Sequence, residues 1–204
     1  MGTLKEIFGP SKNEIWSQIA DEIGGEYIDA GFWKKNVLKF QHNHWEILLD
    51  TYAQSTGKSS VTYTRLRVPF LNRDGLRFKI YRENFFTSIG KIFGMQDIII
   101  GDPWFDDDFI IKGNDESKIK LLMNDSKLKS LFKQQPKVHI EIKDYEGRFS
   151  QRYPEGVDVL YFQCVGIVKK REVLLNLFEL FAAILDRLVH IDSAYQSNPK
   201  IELK

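Results

Sequence analysis

From Glu172 to Val189 the chain reads EVLLNLFELFAAILDRLV, with polar Glu172, Asn176, Glu179, Asp186 and Arg187 recurring at helical spacing among positions that are almost all apolar. A helix with so little polar circumference is covered on most sides, so this stretch is the expected structural centre. Near the other end, Ser11 with Glu14 three residues on forms a capping-box signature, and Ile15, Trp16, Ile19, Ala20 and Ile23 share one face of a helix that Gly24-Gly25 closes.

Between these helices the period changes. Asn36–Gln41, His44–Tyr52, Ser60–Val68 and Leu76–Tyr81 are short β-branched and aromatic runs separated by turn formers near Asn43, Gly57 and Asn72–Gly75, the texture of an antiparallel meander. In the last run Leu76, Phe78 and Ile80 alternate with Arg77, Lys79 and Tyr81, which predicts one buried and one wet face. Phe85–Phe93 has helical spacing. Ile98–Ile100 and Phe109–Lys112 read as strands around a Gly101-Asp102-Pro103 turn. Asn114 or Asp115 caps a helix through Met123, and Asp125 or Ser126 caps another through Lys133. Lys137–Lys143, Arg148–Tyr153 and Val157–Val168 form a second meander that leads into the long helix.

Strands and helices do not alternate one for one, so the prediction is an α+β fold: antiparallel meander sheets packed on a long, mostly buried C-terminal helix. Residues 1–204 read as a single domain, with 1–95 and 96–204 as the sub-halves if the two meanders form separate sheets.

Charge narrows the partners. Twenty-nine Lys and Arg balance 28 Asp and Glu to a net charge of +1, so nucleic acid or an anionic membrane would have to be met by a local patch. The single cysteine, Cys164 in VLYFQCVG, has no partner for an internal disulfide and reads as a buried, inert thiol, consistent with a reducing compartment. Met1–Pro10 lacks the basic start and apolar run of a signal peptide, and Glu179, Asp186 and Arg187 interrupt the nearest candidate membrane span. A cytoplasmic protein without a transmembrane segment is the expectation.

The segment Ile100-Gly101-Asp102-Pro103-Trp104-Phe105-Asp106-Asp107-Asp108-Phe109-Ile110-Ile111-Lys112 resembles a bacterial domain-of-unknown-function family that carries I-G-D-x-x-F-D-x-x-F-x-[IV]-K followed by a helix. The resemblance implies a bacterial source and no activity. Turn geometry also accounts for these residues: Gly101 and Pro103 shape the chain, and aspartates accept local backbone N–H groups.

Several constellations invite chemistry. Ser55-Thr56-Gly57-Lys58-Ser59 ends like a phosphate loop, yet Tyr52 stands where that loop needs glycine, and a strand follows instead of a helix. His42 and His44 lack a third ligand at zinc spacing, and Asp102, Asp106 and Asp108 do not match a calcium loop. No metal or cofactor is assigned. Glu141-Ile142-Lys143 places a carboxylate and an amine on one strand face, which with Asp108 gives the catalytic alternative: a Mg²⁺-dependent, nuclease-like phosphodiester-cleaving enzyme. A peripheral membrane role would need Phe85, Phe86 and Trp104 in one exposed patch.

Basic residues concentrate at Arg65 and Arg67 on one strand and Arg77 and Lys79 on the next, with Tyr63 and Tyr81 beside them. A hairpin through Asn72–Gly75 would set these faces side by side. Two readings stay open. Either the face recognises a protein or anionic ligand, nucleic acid not excluded, in a non-enzymatic, self-associating binding module; or it is neutralised internally by Asp102–Asp108.

Overall fold

The computed structural model describes residues 9–29, 31, 36–55, 57, 59–82, 95–145 and 152–203. The first helix, α1 (Lys12–Ile23), starts where the serine signature places it: the Ser11 hydroxyl accepts the Glu14 N–H, and the Glu14 carboxylate accepts the Ser11 N–H at 2.9 Å. It ends at Gly24, whose φ of 69° is a left-handed conformation that suits glycine.

Nine strands follow among the described residues: β1 (Glu26–Ile28), β2 (Val37–His42), β3 (Trp45–Ser55), β4 (Ser60–Leu71), β5 (Phe78–Arg82), β6 (Gln96–Ile98), β7 (Phe109–Gly113), β8 (His139–Lys143) and β9 (Val157–Val165). They form one antiparallel sheet in the order β1-β2-β3-β4-β9-β8-β5-β7-β6. Strands from both halves of the chain therefore share a sheet. A short helix, α2 (Pro103–Asp106), lies between β6 and β7; α3 (Glu116–Met123) and α4 (Ser126–Gln134) lie between β7 and β8; α5 (Arg171–His190) follows β9. The architecture is α+β with the long helix after the last strand, as the patterning predicts.

The helices cover one face of the sheet. Leu174, Leu177, Phe178, Leu180, Phe181, Ile184, Leu185 and Leu188 of α5 are buried against the sheet and against α1, α3 and α4. Each such side chain contributes about 1.5–3 kcal/mol by leaving water. Leu66, Val68 and Phe70 of β4, Ile47 and Leu49 of β3, Leu160 and Phe162 of β9 and Ile140 of β8 supply the facing layer. The indole N–H of Trp16 on α1 donates to the Val168 carbonyl at 3.1 Å, tying the first helix to the lead-in of the last.

Three expectations change. Between β6 and β7 the chain forms α2 instead of a bare turn, because Pro103 stands at its first position and the Asp106 carboxylate gathers the N–H groups of Ile100, Gly101 and Asp102 at 2.9–3.2 Å. Strand β1 escapes sequence reading because three residues are too few to show a period. Lys79 and Tyr81, expected on a wet face, are 8% and 2% exposed. The helix predicted at Phe85–Phe93 and the strand at Arg148–Tyr153, its last two residues excepted, lie outside the described residues. No helix among the described residues is long and apolar enough to cross a membrane.

Candidate functional site

Side chains alternate across a strand, so the residues between the core positions point away from the helices. The strand registers join one of these from every strand into a single row: Asp97, Lys112, Lys79, Glu141, Tyr161, Arg67, Leu48, Lys39 and Glu26. Among the described residues no helix lies on this face, and a helix-free sheet face would ordinarily carry solvated charge. Here the middle of the row is withdrawn from water, with Arg67 2% and Tyr161 2% exposed.

The row is deepest at β3 and β4. Asp50, only 1% exposed, accepts from Arg65 Nε at 2.5 Å and Nη2 at 2.8 Å through its two oxygens, and from Arg67 Nη2 at 2.9 Å. The Arg65 fork is bidentate, the geometry in which a guanidinium recovers most of the hydration it gives up. Its flat face lies 5.0 Å over the Tyr52 ring, which stacks on Tyr63 at 5.1 Å. The hydroxyls of Tyr52 and Tyr161 both donate to Gln163 Oε1, at 2.7 and 3.1 Å. Burial pushes both phenols above their ordinary range.

A second charged group lies on the same face across β8 and β5. Glu141 meets Lys79 at 2.9 Å and Lys143 at 3.6 Å, and the Lys143 ammonium sits 3.1 Å over the Tyr161 ring. Burial alone would raise the Glu141 carboxyl, but Lys143, Lys79 and His139 together hold it below its usual range. His139 is moved down to about 4, first by burial and further by Lys79 and Lys143, with Glu141 opposing. Its ring stands edge-on to Tyr81 at 6.2 Å.

The four basic residues singled out in sequence are thus only partly gathered. Arg65, Arg67 and Lys79 do share the helix-free face, but β4 pairs along its length with β9, so β9 and β8 separate it from β5. The Asn72–Gly75 turn carries the chain past both strands instead of closing a hairpin, and the Asn72 amide donates to Asp158 and to the Leu76 carbonyl. Arg77 lies at the end of the sheet, 3.2 Å from both Asp144 and Asp158. Among the described residues the acids they meet are Asp50, Glu141, Asp144 and Asp158, not the 102–108 segment. That segment has its own cations: Asp102 meets Lys129, and Asp108 meets Lys133 at 2.7 Å and Arg82 at 3.2 Å. Lys133 and Arg82 hold the Asp108 carboxyl below its ordinary range.

The catalytic alternative is not assembled. Glu141 and Lys143 share the helix-free face, whereas Asp108 turns to the helix layer, where Arg82 also reaches the carbonyls of Lys133 and Gln135 on and after α4. Asp108 lies beyond the Arg82–Phe109 pair while Glu141 faces Lys79, two strands away and at least three residues along, which is about 14 Å of sheet. Among the described residues no three His, Cys, Asp or Glu side chains group as metal ligands. His42 meets Asp186 of α5 at 2.9 Å. Cys164 is buried and its thiol is pushed up to about 11, first by that burial. Ser55 pairs with Ser60 to close the β3–β4 hairpin, so a strand and not a helix follows the phosphate-loop-like residues. Trp104 is exposed, while Phe85 and Phe86 lie outside the described residues.

Sequence reading missed a hollow of 540 Å³ over β2–β4. Asp50 and Arg67 form its floor, with Lys39 and Glu46, paired at 3.2 Å, on one side and Val37, Leu48 and Pro69 supplying apolar wall. Asn198, Ile201, Glu202 and Leu203, from the segment after α5, complete it. A second hollow of 500 Å³ surrounds Arg77, with Asp144, Arg152, Tyr153 and Asp158 among its lining. Two of the four predicted basic residues, Arg67 and Arg77, therefore border cavities, each a different one.

No family model matches the sequence, and no curated protein matches it. A solved structure does share the fold: the crystal structure of the mycobacterial trehalose monomycolate transport factor A, TtfA, superposes with a TM-score of 0.53 over 94% of this chain and 98% of that one, at 8% identity. At that identity the likeness concerns the fold alone.

Proposed function

We propose that this chain is a non-enzymatic interaction module of a bacterial cytoplasm that recognises a protein or anionic ligand on the helix-free face of its sheet, at the hollow over β2–β4. The observation that carries this reading is the hollow itself, a concavity lined by Asp50 and Arg67, with Arg65 bonded to Asp50 behind them, beside apolar wall. Such mixed lining orients a ligand by a few polar contacts while apolar contact supplies affinity. Lys39, about a third exposed, is the cation an incoming acid meets in this hollow, while Arg67 and Arg65 hold Asp50 in place beneath it, Lys79 continues the charged row, and Arg77 serves the second hollow. The resemblance of Ile100–Lys112 to a bacterial family belongs to the same proposal. The protein that shares the fold is a transport factor, a role a binding module can fill.

Isothermal titration of the chain with inorganic phosphate, a single-stranded oligonucleotide and a set of acidic peptides tests the reading. Lys39→Glu and Arg77→Ala are the variants of choice, because both side chains are about a third exposed and their loss spares the buried cluster. Binding weakened tenfold or more by Lys39→Glu supports the β2–β4 hollow. Absence of any binder, or binding that neither variant changes, removes the proposal.

A further inference from the structure

The connection from β9 to α5 is firmly held, yet it leaves apolar side chains in water. Val165 and Ile167 are 49% and 46% exposed, and Lys169, Lys170 and Arg171 follow them at the surface. Buried Thr64 clamps the backbone here: its hydroxyl donates to the Gly166 carbonyl at 2.7 Å and accepts the Val168 N–H at 3.0 Å. The Gly166 N–H donates to the Thr62 carbonyl at 2.8 Å, and the Trp16 indole holds the Val168 carbonyl. A single aliphatic side chain at a surface is ordinary. Two of them held out by a pinned backbone, with cations directly after, form a preorganised patch.

Charge also sets this connection apart. Arg171 pairs with Glu22 at 2.8 Å, as most of the cations above pair with an acid. Lys169 and Lys170 meet no carboxylate among the described residues. Together with Arg171 they outnumber Glu22 and Glu172, the latter in the first turn of α5, so the patch is locally basic in a chain whose total is +1. Lys12 of α1 stands 4.9 Å over the ring of the same Trp16 and adds a further cation beside it.

We infer that the 165–171 connection is a contact surface for an anionic lipid bilayer, with Val165 and Ile167 entering the headgroup boundary and Lys169 and Lys170 meeting lipid phosphates. These residues line neither of the hollows above, so they suit a broad, soft surface better than an enclosed ligand. Lysines on long stems follow mobile headgroups, whereas a fixed planar acid favours the arginine fork. Aliphatic side chains are stabilised on leaving water for the acyl boundary. Tyr63, half-buried and bridged to Gly166, places an amphipathic ring at the edge of the patch, the kind of ring that lipid–water interfaces favour. The surface is separate from the β2–β4 hollow and adds a location to that binding reading.

Sedimentation of the full chain with vesicles tests it, using phosphatidylcholine alone and phosphatidylcholine with about a third phosphatidylglycerol. The expected result is attachment to the mixed vesicles and weaker attachment to the neutral ones. Lys169→Glu with Lys170→Glu should weaken attachment about twentyfold or more, because each lysine near an anionic leaflet contributes about fivefold. Val165→Ser with Ile167→Ser should weaken it about tenfold or more. All four side chains are exposed, and circular dichroism melting verifies that each variant folds. No attachment to the mixed vesicles, equal attachment to both compositions, or attachment that either double variant leaves unchanged overturns the inference. Binding to soluble polyglutamate in place of vesicles, lost in the Lys169→Glu, Lys170→Glu chain, overturns it in favour of an acidic protein partner. If vesicle attachment fails while an anion or acidic peptide still binds in a Lys39-dependent manner, this inference falls and the β2–β4 reading stands.

Discussion

Replacing Asp50 by alanine takes away the carboxylate that meets Arg65 and Arg67 and leaves two guanidiniums in a region where they are 6% and 2% exposed. Breaking a buried ion pair from one side costs about 3–5 kcal/mol, because the remaining charge keeps its desolvation penalty without its partner. For a chain of this size that corresponds to a melting temperature lower by roughly 6–20 °C. In urea, at a slope of about 2 kcal/mol per M, the midpoint falls by about 2 M. The contrasting variant removes the charges together, as Asp50→Leu with Arg65→Met and Arg67→Met. It should recover most of the loss, since apolar replacement of buried ion pairs is often neutral or stabilising. Urea melts followed by tryptophan fluorescence and by far-ultraviolet circular dichroism give both numbers and test whether unfolding is two-state. A loss below about 1 kcal/mol for Asp50→Ala would refute the reasoning, because that is the range of solvated surface pairs.

Other outcomes follow from separate parts of the structure. His139, held near 4 in the fold against 6.5 for the free side chain, takes up its proton more readily when unfolded. Its contribution is therefore complete above pH 6.5 and is lost as pH falls from 6.5 to 4, by at most about 3 kcal/mol; His139→Gln should flatten the stability profile in that window, and an unchanged profile would contradict the assignment. A Cβ at residue 25 would stand 2.5 Å from the Lys39 carbonyl oxygen, so Gly25→Ala should cost about 1–3 kcal/mol in the same urea assay. Ser11→Ala removes one half of the capping box and should cost about 0.5–2 kcal/mol. Cys164 should resist a thiol-specific disulfide reagent in the native chain and react fully in denaturant; rapid native reaction would show that the β9 thiol is accessible.

Local rules reach far along this sequence. The capping box at Ser11, the caps at Asp115 and Asp125, and the apolar circumference of α5 depend on neighbours within a few residues, and each is where the pattern puts it. Strand order is different in kind. Pairing of β4 with β9 joins residues about a hundred positions apart, and nothing near Asn72–Gly75 distinguishes a hairpin turn from a crossing to the far side of two strands. That is why Arg77 and Lys79 do not lie beside Arg65 and Arg67.

The buried cluster was nearer to hand. Once Ser55 faces Ser60, antiparallel register sets Asp50 opposite Arg65 and Leu48 opposite Arg67, and an acid that ends the apolar run Ile47-Leu48-Leu49 is a mark of paired burial. The hollow had no such signal, since its wall comes from residues 198–203, whose path over β2–β4 no local pattern records.

Recognition at the β2–β4 hollow is tested most directly by mapping where a ligand lands. The ¹⁵N-labelled chain, titrated with the tightest binder among phosphate, the oligonucleotide and the acidic peptides, should shift amide resonances of 37–41, 46–50, 65–68 and 200–203 while those of α3 and α4 stay in place. Shifts centred on α3 and α4, or no shifts at all, would contradict it.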